Sequence, residues 1–181
     1  MLESTGAFVL ETAFPASATP ESVLRILHDH GAMFGLSPLV KSHRLVSPSD
    51  DVSSEPPSAA VSPDTAKPLT YEVTEAIPLL PGGLWTTNST SKVELTNLPD
   101  GLRTVEHAGA GIEGTIRWTV GRREKGEGGG DGNGAVWLRE EAEVRCNMFL
   151  VSFVKWTMKK SHVAMHKKLL EVWGEKEEGG H

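Results

Sequence analysis

The chain has 181 residues, a net charge of −6 and a single cysteine, Cys146. That length suits one domain, which buries roughly 70% of its unfolded surface, and a lone cysteine excludes an internal disulfide framework. Basic residues pair only locally, at Arg122-Arg123, Lys159-Lys160 and Lys167-Lys168, so no phosphate-binding face and no nucleic-acid partner are expected.

In chain order, Ala7 to Phe14 alternates as a strand, with Phe8, Leu10, Thr12 and Phe14 on one side. Glu3 stands where a signal peptide needs basic charge, and Glu11 soon interrupts the apolar residues. With no run of about 18 apolar residues, the expectation is a cytoplasmic chain without a transmembrane segment, in which the Asn88-Ser89-Thr90 sequon goes unused. Thr19-Pro20-Glu21 reads as an N-cap, a first-turn proline and an acid at the positive helix end, ahead of Val23, Leu24, Ile26 and Leu27. Met33, Phe34 and Leu36 follow between Gly and Pro punctuation, which suits a second short helix before a strand through Lys41 to Ser47.

Residues 48–68 turn to Ser, Pro, Asp and Ala with almost no large apolar side chains, the composition of a disordered internal loop. Four strands are expected next, Leu69 to Ile77, Leu84 to Leu95, Leu102 to Ala108 and Ile112 to Arg122, with turns at Pro81-Gly82-Gly83 and Asn97 to Gly101. Residues 124–134 form a Gly-rich hairpin loop leading to another strand, Ala135 to about Arg145. From about Met148 to Trp173 the period changes: Val151, Val154, Met158, Met165, Leu169 and Val172 recur at spacings of three, four and seven, one stripe of a helix at about 100° per residue. Residues 1–174 thus read as one α+β domain, with about seven antiparallel strands curved around a long C-terminal helix, and 175–181 as a disordered tail.

This order, together with Ser37-Pro38-Leu39-Val40-Lys41-Ser42, Asp100-Gly101-Leu102-Arg103 and the helical run Phe153 to His162, resembles the START-like superfamily of polyketide cyclases and pathogenesis-related proteins, and looks like a fungal branch of it. The resemblance spans nearly the whole chain. It implies a helix-grip fold enclosing an apolar cavity for lipids, sterols or polyketides, and it implies no particular reaction and no cofactor.

Among local motifs, Gly109-Ala110-Gly111-Ile112-Glu113-Gly114 has the letters of a dinucleotide fingerprint. That fingerprint works through a helix N-terminus, and here a strand follows, so the run reads as a bend in the sheet. His162 and His166 have metal-sharing spacing, but Val163 occupies the position of a zinc protease's glutamate, and no metal is assigned. His28 and His30 read as solvated surface histidines.

His162 itself lies between Met158 and Met165 beside the buried stripe. It is either a core histidine bonded to a backbone carbonyl or a ligand contact and general acid/base. Strand parity turns Glu140 inward with Val136, Leu138, Ala142 and Val144, and Glu75 inward with Tyr71 and Val73. The same rule places His107 inward with Val105, and Trp85, Thr87 and Ser89 with Val93, while Trp118 belongs to an apolar set with Ile112, Ile116 and Val120. Val154, Met158 and Met165 are the helix side chains expected at the cavity. Phe149, Phe153 and Trp156 lie opposite the stripe and require cover from the short helices or from a second copy of the chain as a homodimer.

Two functions follow. One is a carrier or sensor that binds an apolar small molecule. The other is a cyclase or isomerase in which His162 moves a proton while Glu140, Glu75 or Tyr71 orients the substrate. A protein-interaction domain ranks third, and Cys146, lacking an evident base, disfavours nucleophilic hydrolysis.

Overall fold

The computed structural model describes residues 2–46, 67–78, 86–123 and 135–178. Strand β1 (Glu3–Ala13) leads to helices α1 (Pro20–Leu27) and α2 (His30–Leu36) and strand β2 (Val40–Leu45). Then come β3 (Leu69–Pro78), β4 (Thr86–Leu98), β5 (Gly101–Ala108), β6 (Ile112–Arg122), β7 (Val136–Asn147) and the long helix α3 (Val151–Glu178). The strands form one seven-stranded sheet in the order β1-β7-β6-β5-β4-β3-β2, with every neighbouring pair antiparallel. Only the β1–β7 pairing joins strands distant in sequence, and it carries the first strand across to the last.

Local chemistry accounts for the two short helices. Thr19 caps α1 in a reciprocal box with Ser22, and Pro20 occupies the first turn. The side chain of Asp29 accepts the Ala32 N–H at the start of α2. Val23, Ile26 and Leu27 on α1 and Met33, Phe34 and Leu36 on α2 are buried. The backbone pivots between β5 and β6 in a 3-10 turn, Gly109–Gly111, where Ala110 and Gly111 have φ of 60° and 68°. The Gly-rich run is therefore a bend, as its sequence indicates.

α3 lies across the inner face of the sheet. Phe14 meets Trp173 edge to face at 6.0 Å, the Trp173 indole donates to Ser22 Oγ at 2.9 Å, and Lys168 Nζ donates to the Gly35 carbonyl at 2.7 Å. The most deeply packed residues of α3 are Thr157, Ser161, Met165, His166, Leu169 and Trp173, whereas Val154, Met158 and Val172 are half-buried. The packed face is thus wider than the purely apolar stripe, because Thr157 and Ser161 extend it on one side and His166 and Trp173 on the other. α3 also continues to Glu178, beyond the 174 boundary expected from composition.

The expected loops at 48–68 and 124–134 lie outside the described residues, apart from 67–68, as do the Pro81-Gly82-Gly83 turn and the rest of the tail. None of the described helices is long and apolar enough to cross a membrane.

Candidate functional site: an acid-lined apolar cavity

Strict alternation on four neighbouring strands builds one wall. Val73, Glu75 and Ile77 of β3, Ser89, Val93 and Leu95 of β4, Leu102, Thr104, Glu106 and Ala108 of β5, and Ile112, Gly114, Ile116 and Trp118 of β6 all face the same cavity. The register aligns these sets, pairing Glu75 with Ser89, Glu106 with Gly114 and Leu102 with Trp118. Met33 and Phe34 of α2 and, on α3, Phe153, Val154, Thr157, Met158, Ser161, His162 and Met165 close the other side. The cavity has a volume of about 220 Å³. Gly114 helps create it, since a Cβ built there would meet nothing nearer than 3.7 Å.

Beside the cavity, Glu140 is fully buried, and a carboxylate without water needs partners. His166 Nε2 donates to its Oε2 at 2.8 Å, and His162 Nδ1 lies 2.5 Å from its Oε1. The second contact is close but falls outside ordinary hydrogen-bond angles, since neither atom has a geometrically formed bond. A neutral His166 that donates from Nε2 leaves Nδ1 to accept the Thr12 hydroxyl, 2.7 Å away. Trp118 stacks on both rings, at centroid distances of 5.9 Å from His162 and 5.2 Å from His166. Burial pushes the Glu140 carboxyl upward, but the two imidazoles outweigh it and hold Glu140 below its ordinary value. A carboxylate thus stands against His162 Nδ1, and the His162 ring is among the groups that line the cavity.

Glu75 behaves in the opposite way. Burial first, and then the Glu106 charge, push its carboxyl up to about 7, against a smaller opposing effect of His162. One cavity therefore holds an acid that exchanges its proton near neutrality within the field of an imidazole fixed by a second, ionised acid. Such a separation of carboxyl behaviours suits proton transfer as well as binding.

Set against expectation, Glu75, Ser89, Trp118, Val154, Met158, His162 and Met165 all line the cavity, and Glu140 is inward but serves as the partner of His162. Tyr71 faces inward yet is committed elsewhere: its hydroxyl is 3.0 Å from His30 Nδ1, and its ring packs on Phe34. His107 is exposed, with Lys92 and Glu113 as its register neighbours. Its supposed guide, Val105, lies on the outer face opposite Glu94 and Thr115, so the inward residue of that pair of positions is Glu106. Thr87 shares the inward parity but is exposed at the start of β4, and Trp85 lies outside the described residues.

His28 and His30 are not free surface histidines. His28 Nε2 bonds the Gly101 carbonyl at 2.9 Å, and buried His30 bridges Tyr71 and Asn97, tying the start of α2 to β3 and β4. Sequence reasoning also missed His166, Thr12, Glu106 and Thr157. Among the described residues no group of three or more His, Cys, Asp or Glu side chains is arranged for a metal. Cys146 is buried, and that burial pushes its thiol up, away from the thiolate a nucleophile requires.

The family model described as "Domain of unknown function (DUF7053)" matches residues 3–175. The chain belongs to this family. No curated protein matches the sequence of this DUF7053 domain. Among the solved structures that share its fold are the following two. The di-domain ARO/CYC BexL from the BE-7585A biosynthetic pathway aligns with a TM-score of 0.60 and 13% identity, over 92% of this chain and 49% of that one. Ara h 8.0201 aligns with a TM-score of 0.51 and 11% identity, over 93% of this chain and 99% of that one. The DUF7053 chain therefore spans about half of the di-domain protein. With its seven strands and long terminal helix, it has the START-like helix-grip fold.

Proposed function

We propose that this DUF7053 domain binds an apolar small molecule of the lipid, sterol or polyketide-like kind, as a cytoplasmic carrier or sensor. The observation that carries the reading is the cavity of about 220 Å³ between sheet and helix, with walls dominated by Val73, Val93, Leu95, Ile116, Trp118 and Met165. Apolar burial supplies affinity at about 25 cal/mol per Å² removed from water, and a few polar groups set orientation. Native mass spectrometry of the purified chain, followed by organic extraction, tests it. A co-purifying apolar molecule, or uptake of an added one, is expected. Failure of a panel of lipids, sterols and aromatic polyketides to bind the folded chain would remove the proposal.

A second reading is a proton-transferring cyclase or isomerase, favoured by the hold of Glu140 on His162 Nδ1 at 2.5 Å. In this reading His162 Nε2 takes or gives the proton, Glu140 fixes the ring and its tautomer, and Glu75, with its carboxyl near 7, is the complementary acid. The ARO/CYC title of one neighbour accords with such chemistry, but at 13% identity that likeness reaches the fold alone. The readings separate on His162→Asn. Loss of turnover with ligand uptake retained supports the enzyme, whereas loss of uptake without any detectable product in the parent protein supports the carrier.

A further inference from the structure

Large apolar side chains stand uncovered at the end of the sheet where β1 starts, β7 ends and β5 turns into β6. Leu2 and Phe149 are 71% and 82% exposed, and Met148 and Leu150 beside them are exposed as well. The Met148 N–H donates to the Leu2 carbonyl, and Phe149 and Leu150 adjoin Ala110 and Gly111 of the β5–β6 bend. These side chains therefore belong to one tip, and a contiguous apolar patch facing water marks an interaction surface.

The helix that leaves this tip continues the surface with positive charge. Ser152, Trp156, Lys159, Lys160, Val163 and Lys167 of α3 are all exposed, and at about 100° per residue they fall within a sector of about 100°. The lysine pairs, isolated in sequence, thus contribute to one basic face once α3 forms. Residues 144–170 hold Arg145 and five lysines without one Asp or Glu, in a chain whose net charge is −6. Among the described residues none of Lys159, Lys160 and Lys167 pairs with an acid. Lys160 Nζ instead lies 5.2 Å from the Trp156 ring centroid. Beside the tip, the Glu3 carboxylate is taken up by Arg145.

That combination sorts the partners the surface could take. A second copy of the chain, docked face to face, would set Lys159, Lys160 and Lys167 against their own equivalents. Nucleic acid offers phosphates but no hydrocarbon to cover Leu2 and Phe149. An anionic bilayer offers both, and in the order the chain presents them. From the tip along α3 come Phe149, then Trp156, then Lys159 and Lys160. From its core outward a bilayer runs from hydrocarbon, through the interface where tryptophan settles, to the phosphates that attract lysine.

We propose that this end of the molecule docks peripherally on an anionic lipid surface, with the Leu2 and Met148 to Leu150 tip entering the hydrocarbon edge, Trp156 at headgroup level, and Lys159 and Lys160 against lipid phosphates. The docking goes beyond the reading of the cavity and stands whether or not the cavity holds a ligand.

Flotation of the full chain with vesicles of phosphatidylcholine, alone or with about 30% phosphatidylserine, tests it. Association with the anionic vesicles at about 50 mM salt, and its loss at about 500 mM, is expected. Lys159→Gln combined with Lys160→Gln should weaken partitioning about thirtyfold, the scale of two basic residues near an anionic surface. Phe149→Ala combined with Trp156→Ala should weaken it about tenfold or more. All four side chains are exposed, so circular dichroism of the variants should match that of the parent. Should a double variant misfold, Lys160→Gln or Phe149→Ala alone should still lower partitioning about fivefold. Folded protein that ignores anionic vesicles, binds neutral and anionic ones equally, or binds undiminished in either double variant overturns the proposal. So does a dimer in sedimentation velocity that the Phe149→Ala and Trp156→Ala variant loses, which gives the face to a second copy. Binding of poly-glutamate in place of vesicles gives it to an acidic protein and likewise overturns the proposal.

Discussion

Glu140 and Glu75 are both inward-facing acids, and their surroundings drive them in opposite directions. Glu140 is held below its ordinary value of 4.5 despite its burial, because the imidazoles of His162 and His166 outweigh desolvation. An acid with a depressed folded value contributes stability that is complete above its unfolded value and is lost as pH falls through the folded one. Glu140→Gln should therefore cost about 2 kcal/mol at neutral pH, since two imidazoles lose their charged acceptor. It should also flatten the acid limb of a urea-unfolding series below about pH 4.5.

Glu75, raised by burial and by Glu106 to about 7, has the opposite sign. Its contribution is complete below the unfolded value of 4.5 and disappears as pH rises through about 7. Glu75→Gln should stabilise the ligand-free protein at about pH 8 by at most roughly 3 kcal/mol, with little effect near pH 4. Carboxyl NMR of the parent protein should give a Glu75 midpoint close to 7, and a midpoint near 4.5 would contradict the buried, acid-coupled site.

At the scale of elements, one contact decides how two strands meet and another how a helix meets the sheet. Gly101 opens β5 where a Cβ would stand 1.8 Å from the Trp118 carbonyl oxygen, a backbone atom that cannot swing aside. Gly101→Ala should therefore destabilise by about 2 kcal/mol or more and lower the denaturant midpoint without changing the slope. His30 ties α2 to Tyr71 and Asn97. His30→Ala should cost about 2 kcal/mol by leaving two polar partners unpaired, with faster amide exchange in α2 than in α3. Both losses are local in cause, and neither residue lines the cavity.

Across the whole molecule, the helix grip is a compromise between a filled core and an open one. Around Phe14, Val23, Ile26, Leu27, Leu138 and Leu169 the interior is solidly packed, whereas between β3–β6 and the first half of α3 space remains. Gly114 is where that space can be closed. Gly114→Val adds a β-branched residue to a strand interior in ordinary van der Waals distance of Glu106 and Met158, and should raise stability by about 0.5–1 kcal/mol. Uptake of an apolar ligand should fall in parallel, by calorimetry. Undiminished uptake would place the ligand elsewhere, outside this cavity. Phe149 and Trp156 remain 82% and 53% exposed, uncovered by α1 or α2, while Phe153 turns into the cavity.

The element order, the capped first helix, the bend at Gly109–Gly111 and the inward parity of Glu75 and Glu140 are legible in the sequence, because each follows from neighbours a few residues apart and from periods of two or 3.6. His162 was legible too, beside an apolar stripe. What period alone cannot decide is which of two alternating faces becomes the concave one when both carry mixed residues, as in Leu102 to Ala108, where Val105 pointed toward His107 and the register chose Glu106. Nor can it say which partner a buried group meets. The Glu140–His166 bond spans 26 residues and the His166–Thr12 bond 154, and these distances close only when β1 crosses the chain to pair with β7 and α3 is laid against them both. The sequence thus determined what each segment could form; tertiary packing decided which side chains share a low-dielectric space, and therefore which of them carry charge.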